Sequence, residues 1–188
     1  MTSVKTILVS APSGAGKSSF VERLCREEPR LVDIVTYTTR QPRPGEKNGD
    51  PYYFVSEAEF LRLREQGFFL EWAKVHEFFY GTPWDQLQAA WRSGRVVIID
   101  IDVQGADSFR QKIPEGLKTI FILPPSLEEL ERRLLRRSTH SPEDLRRRLE
   151  NARKEMEQAS RFDHQIVNDE FEPSYQKFKI LVQSWLDS

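Results

Sequence analysis

A single cysteine, Cys25, leaves the chain unable to form an intramolecular disulfide, which fits a reducing cytoplasm. Three scattered histidines and that one thiol offer no spacing for a metal centre. Neither charge dominates: 28 Lys and Arg stand against 29 Asp and Glu, a net charge of −1. A chain made to coat nucleic acid would be basic, so nucleic acid is not an expected partner and any anion site has to be local. Long apolar runs are missing too. The opening "MTSVKTILVSAPSG" is too short in apolar residues for a signal peptide, and no stretch reaches the length of a membrane span. What remains, 38% hydrophobic and 30% charged residues in a chain of 188, reads as one soluble domain with small insertions.

Short β-branched runs alternate with helical patterns. "TILVS" (6–10), "RVVIIDIDVQG" (95–105), "KTIFILPP" and the weaker "HQIVND" read as strands covered on both faces, and the helical patterns between them predict a parallel sheet of βαβ units. Two segments interrupt this order. Residues of roughly 36 to 90 hold "PYYFVS" and "FFLEWAKV", which predict antiparallel strands. "TPWDQLQAAWRSG" then predicts a helix with Thr82 as its cap, Pro83 first and Gly94 as its stop. The second interruption runs from Ser126 to Ser160. Two capping boxes, Ser126 with Glu129 and Ser141 with Asp144, start a pair of helices whose connection is crowded with arginine. A tail from Pro173 to Trp185 predicts an amphipathic helix with Tyr175, Phe178, Val182 and Trp185 inward. Cys25 falls on the core side of the helix after the first strand.

"APSGAGKS" (11–18), between a strand and a helix, fits the pattern of a phosphate-binding loop with Ala11 in place of its first glycine. Gly14 and Gly16 let the backbone curl so that successive amides point at phosphate oxygens, with the helix N-terminus behind them. Lys17 brings a charge to the outer phosphates and Ser18 offers a hydroxyl to Mg²⁺. The loop predicts a bound nucleoside triphosphate. A GTPase would also carry an Asn-Lys-x-Asp base-reading motif, and "VNDE" does not supply one.

In "TYTTRQPRPGE" (36–46), prolines bias the chain towards polyproline II, with three residues per turn, so Arg40 and Arg43 would project from one side. Two arginines aimed at one point make a clamp for a phosphate dianion; the plainer reading is a solvated basic loop. Asp100 and Asp102, two apart at the end of a strand, share a face at the edge where parallel sheets bind ligands, or else serve as caps there. The arginines from 132 to 153 are interspersed with acids, so many of them read as surface pairs at helical spacing.

With these residues in view, the chain resembles the bacterial guanylate kinases along essentially its whole length. "SAPSGAGKSS", "TTRQPRPGEKNGDPYYFVS", "FLEWAKV", "YGTP", "IIDIDVQG", "IFILPPS" and "IVND" follow that family's order and spacing. The resemblance implies an α/β fold: a three-layer P-loop kinase core with a parallel sheet (1–33, 95–125 and 160–188), an inserted mixed α+β GMP-binding subdomain (34–94) and a helical lid (126–159). It implies transfer of the γ-phosphoryl of ATP to GMP, with Mg²⁺. On the donor side it implies ATP contacts from Ala11, Pro12, Ser13, Gly14, Ala15, Gly16, Lys17, Ser18 and Ser19, from Asn168 near the adenine, and Mg²⁺ at Ser18 and Asp100. On the acceptor side Arg40 and Arg43, helped by Tyr52 and Tyr80, hold the GMP phosphate. Glu71 and Asp102 read the guanine edge, and Thr36 and Thr82 contact the base. Arg133, Arg137 and Arg148 meet the transferring phosphate. Thr36 stands where the family often has serine, and Ser138 where it usually has a glycine. An inactive binding module of the same fold would have no use for Lys17, Ser18 and Asp100. A related kinase of phosphorylated sugars would have none for Glu71 and Asp102.

Overall fold

Alternation along the apolar strands decides the layers of the computed structural model, which describes residues 4–75, 77–137 and 142–188. Five strands form one sheet: β1 (Thr6–Ser10), β2 (Leu31–Asp33), β8 (Val96–Asp100), β9 (Leu117–Leu123) and β10 (His164–Val167). Their order is β10-β9-β1-β8-β2, and every neighbouring pair is parallel. Ile7, Val9, Ile98, Ile120 and Ile122 face one side. There they pack on Phe20 and Leu24 of α1 (Lys17–Glu27) and on Tyr175, Phe178 and Val182 of α7 (Phe171–Leu186). Leu8, Val97, Ile99 and Phe121 face the other side, against Leu87 and Ala90 of α3 (Trp84–Arg92) and Ala106 and Phe109 of α4 (Val103–Lys112). Side chains of period two thus fill two cores, which is why these strands read as unbroken apolar runs. The layers are helix, sheet, helix.

A second sheet, in the order β4-β5-β3-β7-β6, stands between β2 and β8 in sequence. Its strands are β3 (Thr36–Thr38), β4 (Lys47–Asn48), β5 (Pro51–Phe54), β6 (Phe69–Val75) and β7 (Phe78–Pro83). The predicted antiparallel arrangement holds for β6 with β7, whereas the "PYYF" strand β5 runs parallel to β3. Stacked Phe60, Phe69 and Phe79 bind this sheet to α2 (Glu57–Glu65), whose cap Ser56 accepts the Glu59 N–H at 3.1 Å. The rings press close to β7 at Gly81, where a Cβ would lie 2.9 Å from Phe69.

One predicted cap is corrected. Thr82 and Pro83 still belong to β7, and α3 begins at Trp84 with Pro83 in the capping position. Sheet pairing prevails because Thr82 sits opposite Glu71 and donates its hydroxyl to that carboxylate, whereas a helix cap would accept a first-turn N–H. Gly94, at φ +72°, does follow the end of α3.

The helices α5 (Leu127–Arg137) and α6 (Pro142–Glu157) pack through Leu130, Leu134, Ala152 and Leu149. Half of the first capping box forms. Ser126 accepts the Glu129 N–H at 3.2 Å, but the Glu129 carboxylate turns to Arg132 and Arg133. Ser141, the second predicted cap, lies outside the described residues, as does Ser138. No helix among the described residues is long and apolar enough to cross a membrane.

Candidate active site

Strand order reverses on either side of β1, and such a switch point leaves a crevice at the carboxyl ends of the strands. The glycine-rich loop after β1 opens there. Gly14 and Gly16 have φ of +94° and +100°, which residues with a Cβ rarely adopt, and Lys17 and Ser18 follow as the first residues of α1. Ser18 Oγ donates to Asp100 Oδ2 at 2.6 Å. Asp100 closes β8, the strand paired with β1.

Opposite this loop stands the second sheet. Arg40 forms a two-pronged pair with Glu46, at 2.9 and 3.0 Å, and also donates to the Gln41 carbonyl at 2.8 Å. Its guanidinium lies 5.4 Å from the Tyr52 ring centre, and Tyr52 meets Tyr80 edge to face. Burial pushes the Tyr52 phenol well above its ordinary range, so it keeps its proton and remains a donor at neutral pH.

At the far end Glu71 is 5% exposed. The Thr82 hydroxyl donates to its Oε1 at 2.5 Å, while Oε2 lies beside Gly105 in the first turn of α4. Burial pushes this carboxyl up to about 7; the Thr82 bond opposes the rise and the charge of Asp102 adds to it. Asp102 itself caps α4, accepting the Gly105 N–H at 2.7 Å.

One cavity of about 360 Å³ joins these groups. Ala11, Ser13, Lys17, Thr36, Arg40, Arg43, Tyr52, Glu71, Tyr80, Thr82, Asp100, Asp102 and Arg148 all line it. Ser18 and Ser19 line an adjoining opening that shares Arg40, Asp100 and Arg148. Pro12, Gly14, Ala15 and Gly16 form the turn of the loop itself. Arg148 reaches the cavity from α6 while paired with Asp144 at 2.9 Å. Arg133 and Asn168 line neither space. Arg133 donates to the carbonyls of Asn168 and Asp169 at 3.0 and 3.1 Å, and Asn168 is 4% exposed with its amide on the Ala15 carbonyl at 2.8 Å. Arg137 ends α5, and its side chain lies outside the described residues.

Among the acids at the cleft that sequence reasoning missed are Asp33, Glu46 and Glu155. Asp33 ends β2 at the same sheet edge, a position the strand pattern alone could have flagged. Glu46 gave no signal, because its partner is chosen by the fold of the loop. Glu155 stands seven residues after Arg148, hence on the same face of α6, and lines the cavity with Lys17. Burial raises Glu155 to about 7, against the pull of the Lys17 charge.

The site can be set beside known proteins. A family model described as guanylate kinase matches residues 3–185. A guanylate kinase of Bdellovibrio bacteriovorus is 53% identical over 97% of this chain and 98% of its own length. One of Oleidesulfovibrio alaskensis is 50% identical over 92% of this chain and 84% of its own. The crystal structure of guanylate kinase from Anaplasma phagocytophilum superposes with a TM-score of 0.82 at 33% identity, covering all of this chain and 88% of that one.

Proposed function

Because this chain belongs to the guanylate kinase family, we propose that its cleft transfers the γ-phosphoryl group of ATP to GMP, giving ADP and GDP. One observation carries the assignment of the acceptor end. A single cavity is lined both by a buried carboxylate and hydroxyl, Glu71 and Thr82, and by the cationic and phenolic group of Arg40, Arg43, Tyr52 and Tyr80. Guanine offers two donors on its pairing edge, N1–H and the exocyclic amine, and a carboxylate can only accept. Glu71, with Asp102 beside it, takes those donors. Thr36 and Thr82 complete the contacts to the base. The cationic and phenolic group takes the 5′-phosphate, which the fork of Arg40 can meet with charge-assisted bonds.

ATP lies along the glycine-rich loop, with Lys17 at its outer phosphates. Ser18 and Asp100 bring a hydroxyl and a carboxylate oxygen within 2.6 Å of each other, a donor set that fits Mg²⁺, which takes few protein oxygens and completes its shell from phosphate and water. They would hold that ion, whose charge offsets the anion on the phosphates when bound. Among the described residues no group of three or more acidic, histidine or cysteine side chains offers a separate metal cage.

Acceptor phosphate and donor terminus meet between Arg40 on one wall and Lys17 and Arg148 on the other. The acceptor is already ionised at pH 7, so the protein supplies position and positive charge, with no nucleophile of its own. Steady-state kinetics with GMP, AMP, UMP and CMP tests the proposal. GMP should be the preferred acceptor by several orders of magnitude, and comparable use of AMP would overturn it.

A further inference from the structure

We propose that Asn168 is a positioning residue that sets the shape of the phosphate loop, and that Arg133 ties this support to the first lid helix. The proposal deepens the reading of residues 11–19 as the ATP site and rests on it.

The Asn168 amide nitrogen donates to the Ala15 carbonyl across 153 residues of sequence. Only the nitrogen of a carboxamide can donate, so this contact fixes which way the side chain is turned; its Oδ1 has no partner among the described residues. Ala15 C=O and Gly16 N–H belong to one planar trans peptide and point in opposite directions. Anchoring the carbonyl on Asn168 therefore aims the Gly16 N–H away from Asn168. The approach is close enough to restrict Gly16. A Cβ there would come within 2.7 Å of the Asn168 nitrogen, and the φ of +100° disfavours one independently.

Asn168 is itself held from both sides. Its N–H donates to the Leu123 carbonyl at 2.7 Å, which ties it to the end of β9. The Arg133 guanidinium holds the carbonyls of Asn168 and Asp169. Arg133 sits on α5, whose Leu130 and Leu134 lie over Gly14, where a Cβ would be 3.2 and 3.1 Å from them. The same helix thus touches the phosphate loop twice, directly at Gly14 and through Arg133 and Asn168 at Ala15. A shift of α5 would pass to the backbone amides that face phosphate.

Inorganic tripolyphosphate, which has no base, separates this role from direct recognition of adenine. Its inhibition constant against ATP and the calorimetric affinity for GMP are measured on wild type and Asn168→Ala. Loss of one backbone-orienting bond should weaken tripolyphosphate and ATP alike, by about tenfold, with GMP affinity within a factor of two. Weakened ATP with unchanged tripolyphosphate would mean that Asn168 meets the base, and the proposal would fail. Arg133→Gln leaves the Asn168 side chain in place and should weaken tripolyphosphate by about threefold, again sparing GMP. Equal losses for GMP and tripolyphosphate would mean general loosening and would also overturn it. Asn168→Ser serves if Asn168→Ala does not fold, with the same expected pattern. Wild-type protein that failed to phosphorylate GMP with ATP would instead strike at the functional reading.

Discussion

Arg40 and Glu46 meet through two parallel bonds, and the same carboxylate also accepts the Arg43 N–H at 2.7 Å. Arg40 and Glu46 side chains are 11% and 18% exposed, so the pair is shielded enough to hold its geometry. One acid thereby orients the guanidinium and bends the loop that carries both arginines. A lysine at position 40 would keep the charge but could not serve Glu46, the Gln41 carbonyl and a phosphate from one planar fork. Arg40→Lys should lower kcat/KM for GMP at least about tenfold, consistent with losing a charge-assisted bond of about 1.5–3 kcal/mol. The KM for ATP should stay within about twofold under the proposed role of Arg40 at the acceptor phosphate. Steady-state kinetics with each substrate varied checks both, and a GMP loss under threefold would remove Arg40 from the phosphate clamp.

Glu71 should make GMP binding release protons. Its folded value of about 7 lies above the ordinary 4.5, so the folded protein binds more protons than the unfolded chain between those pH values. Its contribution to stability therefore declines as pH rises through that window. Guanine donors favour the ionised carboxylate, and binding must pull the value back down. Calorimetry at pH 6.5 in buffers of different ionisation enthalpy should show proton release with guanosine, a ligand without a phosphate to titrate. The release should shrink at pH 8.5 and vanish in Glu71→Gln. Equal release from the variant would assign the proton elsewhere.

Much of this site is legible in the amino-acid sequence, for identifiable reasons. The phosphate loop and the apolar strands are local patterns, with glycines, a lysine and a period of two within a few residues of each other. Arg40, Arg43, Asp100 and Asp102 follow from the same local logic and do line the cleft. Pairings between distant segments are not legible. Thr82 followed by proline looks like a helix cap, yet its partner is Glu71, on a neighbouring strand chosen by tertiary packing. The direction of β5 depends on the route of the chain through residues 39 to 50, which carries no periodic signal. Asn168 lies under Ala15 because β9, β10 and the loop converge there, and no spacing within the sequence reports it.

Lys17 should matter for transfer far more than for GMP. Its side chain lines the cavity from the first residue of α1, next to the phosphate loop. Lys17→Met keeps most of the side-chain length and removes the charge. A fixed charge at the transferring group is worth on the order of 3–4 kcal/mol, so turnover should fall at least about a hundredfold. Calorimetric GMP affinity should change by less than about twofold. Turnover within a factor of three of wild type would rule out this placement of Lys17.

Base choice gives the sharpest test of the acceptor end. Adenine has an unprotonated N1 and no amine on C2, so AMP would set lone pairs against Glu71 and offer its buried oxygens no donor. A pocket formed around hydrogen bonds rejects a ligand that lacks them by roughly 10⁴-fold, far beyond what shape alone achieves. Glu71→Gln keeps the size of the side chain and swaps one acceptor oxygen for a donor. It should lower kcat/KM for GMP at least about tenfold, the loss of a charge-assisted bond of about 1.5–3 kcal/mol. AMP should gain little, because Asp102 still presents a carboxylate to the same edge. IMP, which keeps N1–H and lacks the amine, should fall between GMP and AMP on wild type. Its disadvantage against GMP should narrow in Glu71→Gln if Glu71 receives the amine. An unchanged GMP to IMP ratio would assign the amine to Asp102 and leave N1–H to Glu71.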